Sequence, residues 1–341
     1  MASSYEDAVR NGTQVAGRLQ RQLGLRARLE ARPGAVDVFD IIAALDLPLL
    51  LRPLKGLLGA YLETPQPGLL VTTERPLSIQ RFTAAHELGH CLMKHKPSLD
   101  DEEQILRRGP LRTLQALDAR TGFQEAEADA FAVALLMPKW LIQMHCARQD
   151  WHTDDLARPP VIYQLSLRLG ASYEALVRTL ERYSLIDAAR RTVLLAVERR
   201  GLKAALLEDY RPASFHGDVW RLTAKDAGGR IEGRRIDHVV VDLTEQAGAG
   251  YLWDESPLSA LDFKILRDDR RSENDETVGG TVLRRLLAAA GDAVHGDLTL
   301  AHRRPWAPHP PLDTVSVSLD LTGPETKGLS RAEKHRLLEA A

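Results

Sequence analysis

The chain has 341 residues, with 45 basic against 47 acidic side chains and a formal net charge of −2. That length exceeds one ordinary core, so two or three domains are expected. The balanced charge, with an isoelectric point near 6.6, carries no footprint for nucleic acid or an anionic membrane, and no apolar run approaches the ~18 residues of a membrane span.

The chain starts with acidic residues and no apolar segment (Met1-Ala-Ser-Ser-Tyr-Glu-Asp7), and its two cysteines are Cys91 and Cys146. No signal peptide and no disulfide framework are read there, so a cytoplasmic location is expected. The first predicted helix, about residues 4 to 24, mixes charges with small residues and reads as loosely held. Asp37 to Leu45 has helical spacing, Leu47 to Pro53 reads as a strand, and Gly68 to Thr73 as another.

The next predicted helix holds Arg81-Phe-Thr-Ala-Ala-His86-Glu87-Leu-Gly-His90-Cys-Leu-Met93. Residues four apart share a helix face, so His86 and His90 can aim both imidazoles at one metal ion. Glu87 stands one residue along, beside the ion, where it can accept a proton from bound water. Catalytic zinc sites use three protein ligands and a water, so a third ligand is required. His95 lies five residues past His90, about 140° round the helix, and reads as a polar residue at the helix end. Phe123 to Pro138 is rich in helix formers and closed by proline, so it reads as a second buried helix. Glu125 and Asp129 share one of its faces, while Glu127 points nearly the opposite way. The shared face selects Glu125 as the third ligand and Asp129 as the acid that holds a ligand imidazole. Between the two helices, the charged insert from Asp100 to Arg120 reads equally as a helical lid or a solvated connector.

These residues resemble the ImmA/IrrE-type zinc metallopeptidases. The resemblance rests on the strand Gly68-Leu-Leu-Val-Thr-Thr73, the run Gln80 to His90, and Glu125-x-Glu-Ala-Asp-x-Phe-Ala-x-x-Leu-Leu-Met-Pro138, over about residues 30 to 185. It departs at Asp129, where family members usually carry Asn; either side chain accepts a bond from an imidazole N–H. The resemblance implies an α+β chain that opens with a small thermolysin-like zincin domain. It implies Zn2+ on His86, His90 and Glu125, and Glu87 as general base. The implied substrate is a protein, in the best-understood relatives a helix-turn-helix repressor whose cleavage releases a stress response. Strand 68–73 is expected along the cleft, where an extended substrate adds by main-chain bonds. For the oxyanion donor the sequence offers His145, His152, Tyr163 and Tyr173 and singles out none.

Residues 150 to 200 read as a helical module and connector, helix-turn-helix-like in the relatives, with a Gly170-Ala-Ser172 turn and an N-cap at Ser172. From Asp150 to Arg182 five acids stand against four arginines. A DNA-reading helix needs a positive surplus, so nucleic acid is disfavoured as a partner.

After about residue 200 the texture turns to alternating strands at Val239–Leu243, Asp262–Leu266, Leu298–Leu300 and Val315–Leu321, the pattern of a β-sandwich. Its loops carry Gly250-Tyr251-Leu-Trp253, Val278-Gly279-Gly280 and Arg304-Pro-Trp306. In that order they resemble the loop motifs of chagasin-type cysteine-protease inhibitors, which implies an all-β immunoglobulin-like sandwich over residues 215 to 322. The family's Asn-Pro-Thr-Thr stretch is replaced by Glu245-Gln-Ala-Gly-Ala249, and its Gly-x-Gly-Gly by Thr277-Val-Gly-Gly280. Those departures point away from a papain-like target. Tyr251, Trp253, Gly279, Gly280, Arg304 and Trp306 are expected to gather at one end as a protein- or peptide-binding patch; Trp253 and Trp306 read equally as packing.

The expected division is a metallopeptidase domain over 1–149, the helical module over 150–200, the sandwich over 215–322 and a fraying polar tail over 323–341. The expected function is a zinc endopeptidase whose β domain recognises a protein or regulates access. Two rivals stand beside it: a cysteine-protease-inhibitor-like binding module with a secondary metal domain, and a DNA-binding regulator.

Overall fold

In the computed structural model, which describes residues 4–64, 66–96, 99–101, 122–272, 280–292, 294–307 and 309–339, Ser4 opens the first helix. Its hydroxyl accepts from the Asp7 N–H and caps α1 (Tyr5–Gln22). Gly24, in the left-handed region, turns the chain into α2 (Leu25–Ala31). Asp37 caps α3 (Val38–Ala44) through the Asp40 N–H, a bond of the kind worth about 1 kcal/mol. Then come β1 (Leu49–Arg52), β2 (Leu57–Leu62), β3 (Gly68–Thr72), α4 (Leu77–Met93), β4 (Leu99–Asp101), α5 (Gly122–Leu136) and α6 (Lys139–Arg148).

The strands form one sheet in the order β1-β3-β2-β4, parallel only between β1 and β3. β3 is therefore internal, and its main-chain groups are already paired on both sides. The expectation that strand 68–73 takes up a substrate is corrected: a peptide can add only to a free edge. Of the charged insert, Asp100 and Asp101 lie on β4, and residues 102–120 lie outside the described residues.

Helix α5 is covered by α4 and by α1. A Cβ on Gly12 would stand 2.1 Å from the Glu127 carbonyl oxygen, so only glycine lets the α1 backbone come this close. α1 also buries Ala8, Ala16 and Leu19; the reading of a loosely held helix is corrected by this seam of small residues. The stretch Phe123–Arg148 is long and apolar enough to cross a membrane, but 67% of its apolar window is buried inside the fold and Pro138 divides it.

After a 3-10 turn at Thr153–Ala157 come α7 (Pro159–Arg168), α8 (Tyr173–Arg182), α9 (Ala188–Leu195) and α10 (Arg199–Leu207). Ser172 caps α8, its hydroxyl accepting from the Ala175 N–H at 3.1 Å. Ile162, Leu165, Leu176 and Leu180 share one core with Val38, Leu88 and Phe131. The helical module and the four-stranded α+β part before it are thus packed as one body of apolar side chains.

The second half builds β5 (Val219–Leu222), β6 (Arg230–Glu232), β7 (His238–Glu245), β8 (Leu252–Trp253), α11 (Ser256–Ala260), β9 (Phe263–Ser272), β10 (Val282–Ala290), β11 (His295–Arg303) and β12 (Asp313–Asp320). These strands make two sheets, β5-β7-β10-β9 and β6-β12-β11-β8. Val239, Val241 and Leu243 of one sheet alternate inward against Leu298, Leu300, Val315 and Val317 of the other. The chain is α+β, helical first and then a two-sheet β unit.

The tail does not fray. Leu51 and Gly328 exchange two main-chain bonds, at 2.9 and 2.8 Å, on the outer edge of β1. The Gln80 side chain of α4 accepts from the Glu325 N–H at 2.8 Å and donates to its carbonyl at 3.1 Å. α12 (Arg331–Glu339) lies against α3, where Arg336 donates to the Ala43 carbonyl at 2.6 Å. Polarity reads as solvation in a sequence, yet these polar groups bond to residues far away in the chain. Further ties join the halves: the buried Arg81–Glu232 ion pair, Arg168 with Asp226 at 2.8 Å, and the Arg230 N–H to the Pro33 carbonyl at 2.6 Å.

Candidate metal centre

His86, Glu87 and His90 on α4 are each at most 1% exposed. The His86 and His90 Nε2 atoms stand 2.9 Å apart. Glu125 of α5 brings Oε2 to 3.4 Å from His86 Nε2 and Oε1 to 3.7 Å from His90 Nε2. In a tetrahedral zinc site with bonds of ~2.0–2.1 Å, ligand atoms stand about 3.3 Å apart. The three side chains form a group able to hold a metal ion.

The outer nitrogen of each imidazole has its own partner. Asp129 Oδ1 lies 2.9 Å from His86 Nδ1, so His86 donates outward and its Nε2 keeps a lone pair. Behind His90, its Nδ1 meets His95 Nδ1 at 3.0 Å, and His95 Nε2 meets Glu127 Oε2 at 2.8 Å. Burial holds the His95 imidazole below the usual histidine range, against the pull of Glu127 in the other direction. With His95 neutral and donating to Glu127, its Nδ1 accepts from His90, and His90 Nε2 is left as a lone pair. Two lone pairs and a carboxylate then face one point. Such an arrangement repels itself unless a cation lies between them.

The relay behind His90 adds buried partners that the sequence did not show. His95 is 6% exposed and Glu127 5%, so neither is a solvated group at a helix surface. Glu127 does point away from Glu125, but α1 covers that face, and Asn11 Nδ2 donates to Glu127 Oε1 at 2.7 Å. Asn11 had no signal in the sequence. His95 could have been found by asking which residues reach the far side of His90 where the chain turns at Lys94, whose left-handed backbone ends α4.

Glu87 lies against β2. A Cβ on Gly59 would stand 2.8 Å from Glu87 Oε1 and 2.5 Å from Thr83 Cγ2, so glycine there makes room for the carboxylate. The four oxyanion candidates are occupied elsewhere. His145 bonds the Gly34 carbonyl at 3.3 Å, and His152 caps the 3-10 turn. Tyr163 donates to Asp218 at 3.1 Å, and Tyr173 donates to the Leu194 carbonyl at 3.2 Å. Burial pushes both thiols up, that of Cys146 to about 11; neither cysteine joins the metal group.

At the end of the sandwich, the Arg304 guanidinium lies over the Tyr251 ring at 4.6 Å and donates to the Ala249 carbonyl at 3.0 Å. Trp306 is 71% exposed and rests on Gly250, where a Cβ would stand 2.7 Å from the indole. Gly280 shortly precedes Val282, which pairs with Glu245 at the same end; Gly279 lies outside the described residues. Trp253 is a correction to the expected patch. It is 3% exposed, stacks on His302 at 4.8 Å and donates its indole N–H to the Thr244 carbonyl at 2.9 Å, so it packs the sandwich.

Residues 47–181 match the family model of the IrrE N-terminal-like domain, Peptidase_M78. The matched segment takes in α4 and α5 with all the residues of the metal group, and the resemblance read from the motifs holds for it. The family is one of metallopeptidases, and peptidase chemistry is what it suggests for this segment. The crystal structure of a cysteine protease inhibitor from Entamoeba histolytica is similar over 32% of this chain and 99% of its own, at 20% identity and a TM-score of 0.26. The solution structure of Amebosin is similar over 30% of this chain and 96% of its own, at 16% identity and a TM-score of 0.24. No curated protein matches the chain.

Proposed function

We propose that the chain is a zinc-dependent endopeptidase in which His86, His90 and Glu125 hold the metal and Glu87 is the general base. The observation that carries this reading is the convergence of two imidazole lone pairs and a carboxylate, with both outer ring nitrogens bonded to Asp129 and His95. A divalent metal held there supplies Lewis-acid activation of water and of a peptide carbonyl. The chain's own work is proton handling. Glu87 accepts the proton of the attacking water at its carboxylate and delivers it to the departing amine. Its burial beside Gly59 limits competing solvent. An extended substrate meets β4, the outer strand on the β2 side of the sheet, rather than β3.

The substrate class is protein, and a helix-turn-helix repressor in the cytoplasm is the first to try. The exposed Trp306 with Arg304 and Tyr251 favours recognition of a protein or peptide by the sandwich. DNA binding through 150–186 is not favoured. α8 buries Tyr173, Leu176, Val177 and Leu180, and Arg178 is paired with Glu174 at 2.7 Å.

The test measures metal content and cleavage on the same preparations. Wild type should carry one zinc per chain, and Glu125→Ala should lose it. Glu87→Gln should keep the metal while cleavage of a repressor substrate falls by about 10²–10⁴-fold. Near wild-type cleavage by Glu87→Gln would sink the mechanism, and an undiminished metal content in Glu125→Ala would sink the ligand set.

A further inference from the structure

Where the first turn of α4, the helices α7 to α10 and the first strands of the sandwich meet, they line an open-sided cavity of about 770 Å³. Small-molecule sites commonly span ~300–1,000 Å³. The cavity is separate from the metal group: none of His86, His90 and Glu125 lines it.

Its charge is arranged for an anion. Three helices open their N-termini on it, through Leu77 and Ser78 of α4, Ser172 and Tyr173 at α8, and Arg199 and Arg200 of α10. The first N–H groups of a helix have no acceptor within the helix and carry partial positive charge. At α4 and α10 no side chain caps them. Three of the acids in the wall are already neutralised. Asp218 is bound by Lys203 at 2.9 Å, Arg234 at 3.3 Å and the Tyr163 hydroxyl at 3.1 Å. Glu232 is bound by Arg81 and Arg230, and Asp237 lies 3.7 Å from the Arg234 guanidinium and accepts main-chain N–H groups at 2.7 and 2.8 Å.

The cations at the rim are different. Arg199 and Arg200 are exposed and form no ion pair among the described residues, and the Arg200 guanidinium lies over the Phe215 ring at 5.1 Å. They outnumber Glu198, the one lining acid without an ion pair among the described residues. Arg81 and Trp220 line the inner part of the cavity and are 4% and 2% exposed. Leu77, Ile79, Leu195, Val197 and Phe215 add apolar lining for the rest of such a guest.

We propose that this cavity is a binding site for a small organic oxyanion, a phosphate or carboxylate on a compact ring-bearing body. The head group sits at the helix N-termini beside Arg199 and Arg200, and the ring lies toward Phe215 and Trp220. The site does not depend on the peptidase reading, and its test reads binding rather than cleavage.

The experiment titrates the full chain with phenyl phosphate, benzoate and phenol by calorimetry. Saturable one-to-one binding of phenyl phosphate or of benzoate is expected, and which of them binds names the head group. R199A/R200A should weaken it at least tenfold, while R199K/R200K should keep most of it. Phenol should bind far more weakly, and L338A, at a side chain of α12 that is 79% exposed, should bind as wild type does. Absence of saturable binding by both anions overturns the proposal. So does binding by R199A/R200A within twofold of wild type, equal binding of phenol, or loss of binding in L338A.

Discussion

Both halves of the molecule bury charge, and they do so in opposite ways. In the sandwich, Glu245 is fully buried and is bonded by Arg284 at 3.2 Å, Arg270 at 2.8 Å and the Trp253 N–H at 2.9 Å. Asp242 is likewise held by Arg221 at 2.7 Å and Arg285 at 2.8 Å. Each carboxylate there meets a cation, and the network closes on itself. Around α4 and α5 the bonds run outward, from His86 to Asp129 and from His90 through His95 to Glu127. They leave like groups facing one another at the centre. Buried charge alone therefore does not mark a site; a network with room for one more ion does.

If that contrast is right, breaking the closed network should cost stability and nothing else. Glu245→Ala leaves Arg284 with Asp268 at 2.8 Å and Glu255 at 3.0 Å but takes away the acceptor of the buried Trp253 N–H, and should destabilise the fold by about 1–3 kcal/mol, with metal content unchanged. A loss of metal in this variant would mean that the two networks are coupled.

A buried histidine outside both networks gives a pH test. Burial lowers His145 from 6.5 to about 4. Between those values the unfolded chain binds the proton and the folded chain does not. Its contribution is complete above pH 6.5 and is lost as pH falls toward 4, a swing of at most about 3 kcal/mol. The stability gap between wild type and His145→Gln should narrow over that range. Asp237 should show the reverse. Burial, with Asp218 beside it, raises Asp237 to about 6, so its contribution falls as pH rises from about 4 to 6. Denaturant titrations from pH 4 to 7 check both signs, and a gap independent of pH would remove the argument for either residue.

Smaller effects sharpen the open network. His95→Ala removes the acceptor behind His90, and groups of this kind change metal affinity by about 10–100-fold. Competition with a chelator should show that loss, and His95→Gln should restore part of it. An unchanged affinity would make His95 a packing residue only. The smallest effect belongs to Trp306→Ala, where the exposed indole should alter stability by no more than about 0.5 kcal/mol. A larger change in thermal unfolding would mean that the loop end packs onto something else.

Local rules account for much of this molecule. The spacing of His86 with His90 on α4, and of Glu125 with Asp129 on α5, is legible because residues four apart share a helix face. Asp37 and Ser172 read as helix starts because capping is a matter of adjacent residues. The sandwich strands alternate because one face of each meets the other sheet. The amphipathic stripe fails as a guide on α4, which is buried nearly all round from Gln80 to His90; a helix covered on every side has no polar face to reveal it.

What only the tertiary structure decided is which partner each polar group meets. Glu127 looks the same in the sequence whether it faces water or His95, yet its bonds reach 32 residues away to His95 and 116 to Asn11. The same holds for Glu325 on Gln80, 245 residues apart, and for the internal place of β3, which depends on strands before and after it. The sequence by itself marked α1, α3, α4, α5, α8, some of the sandwich strands and the side chains that gather as His86, His90 and Glu125, since those follow from backbone period and neighbouring residues. The relay behind His90, the docked tail and the cavity at the junction arise from long-range pairing, in which burial leaves a polar group no water and makes a distant residue its partner.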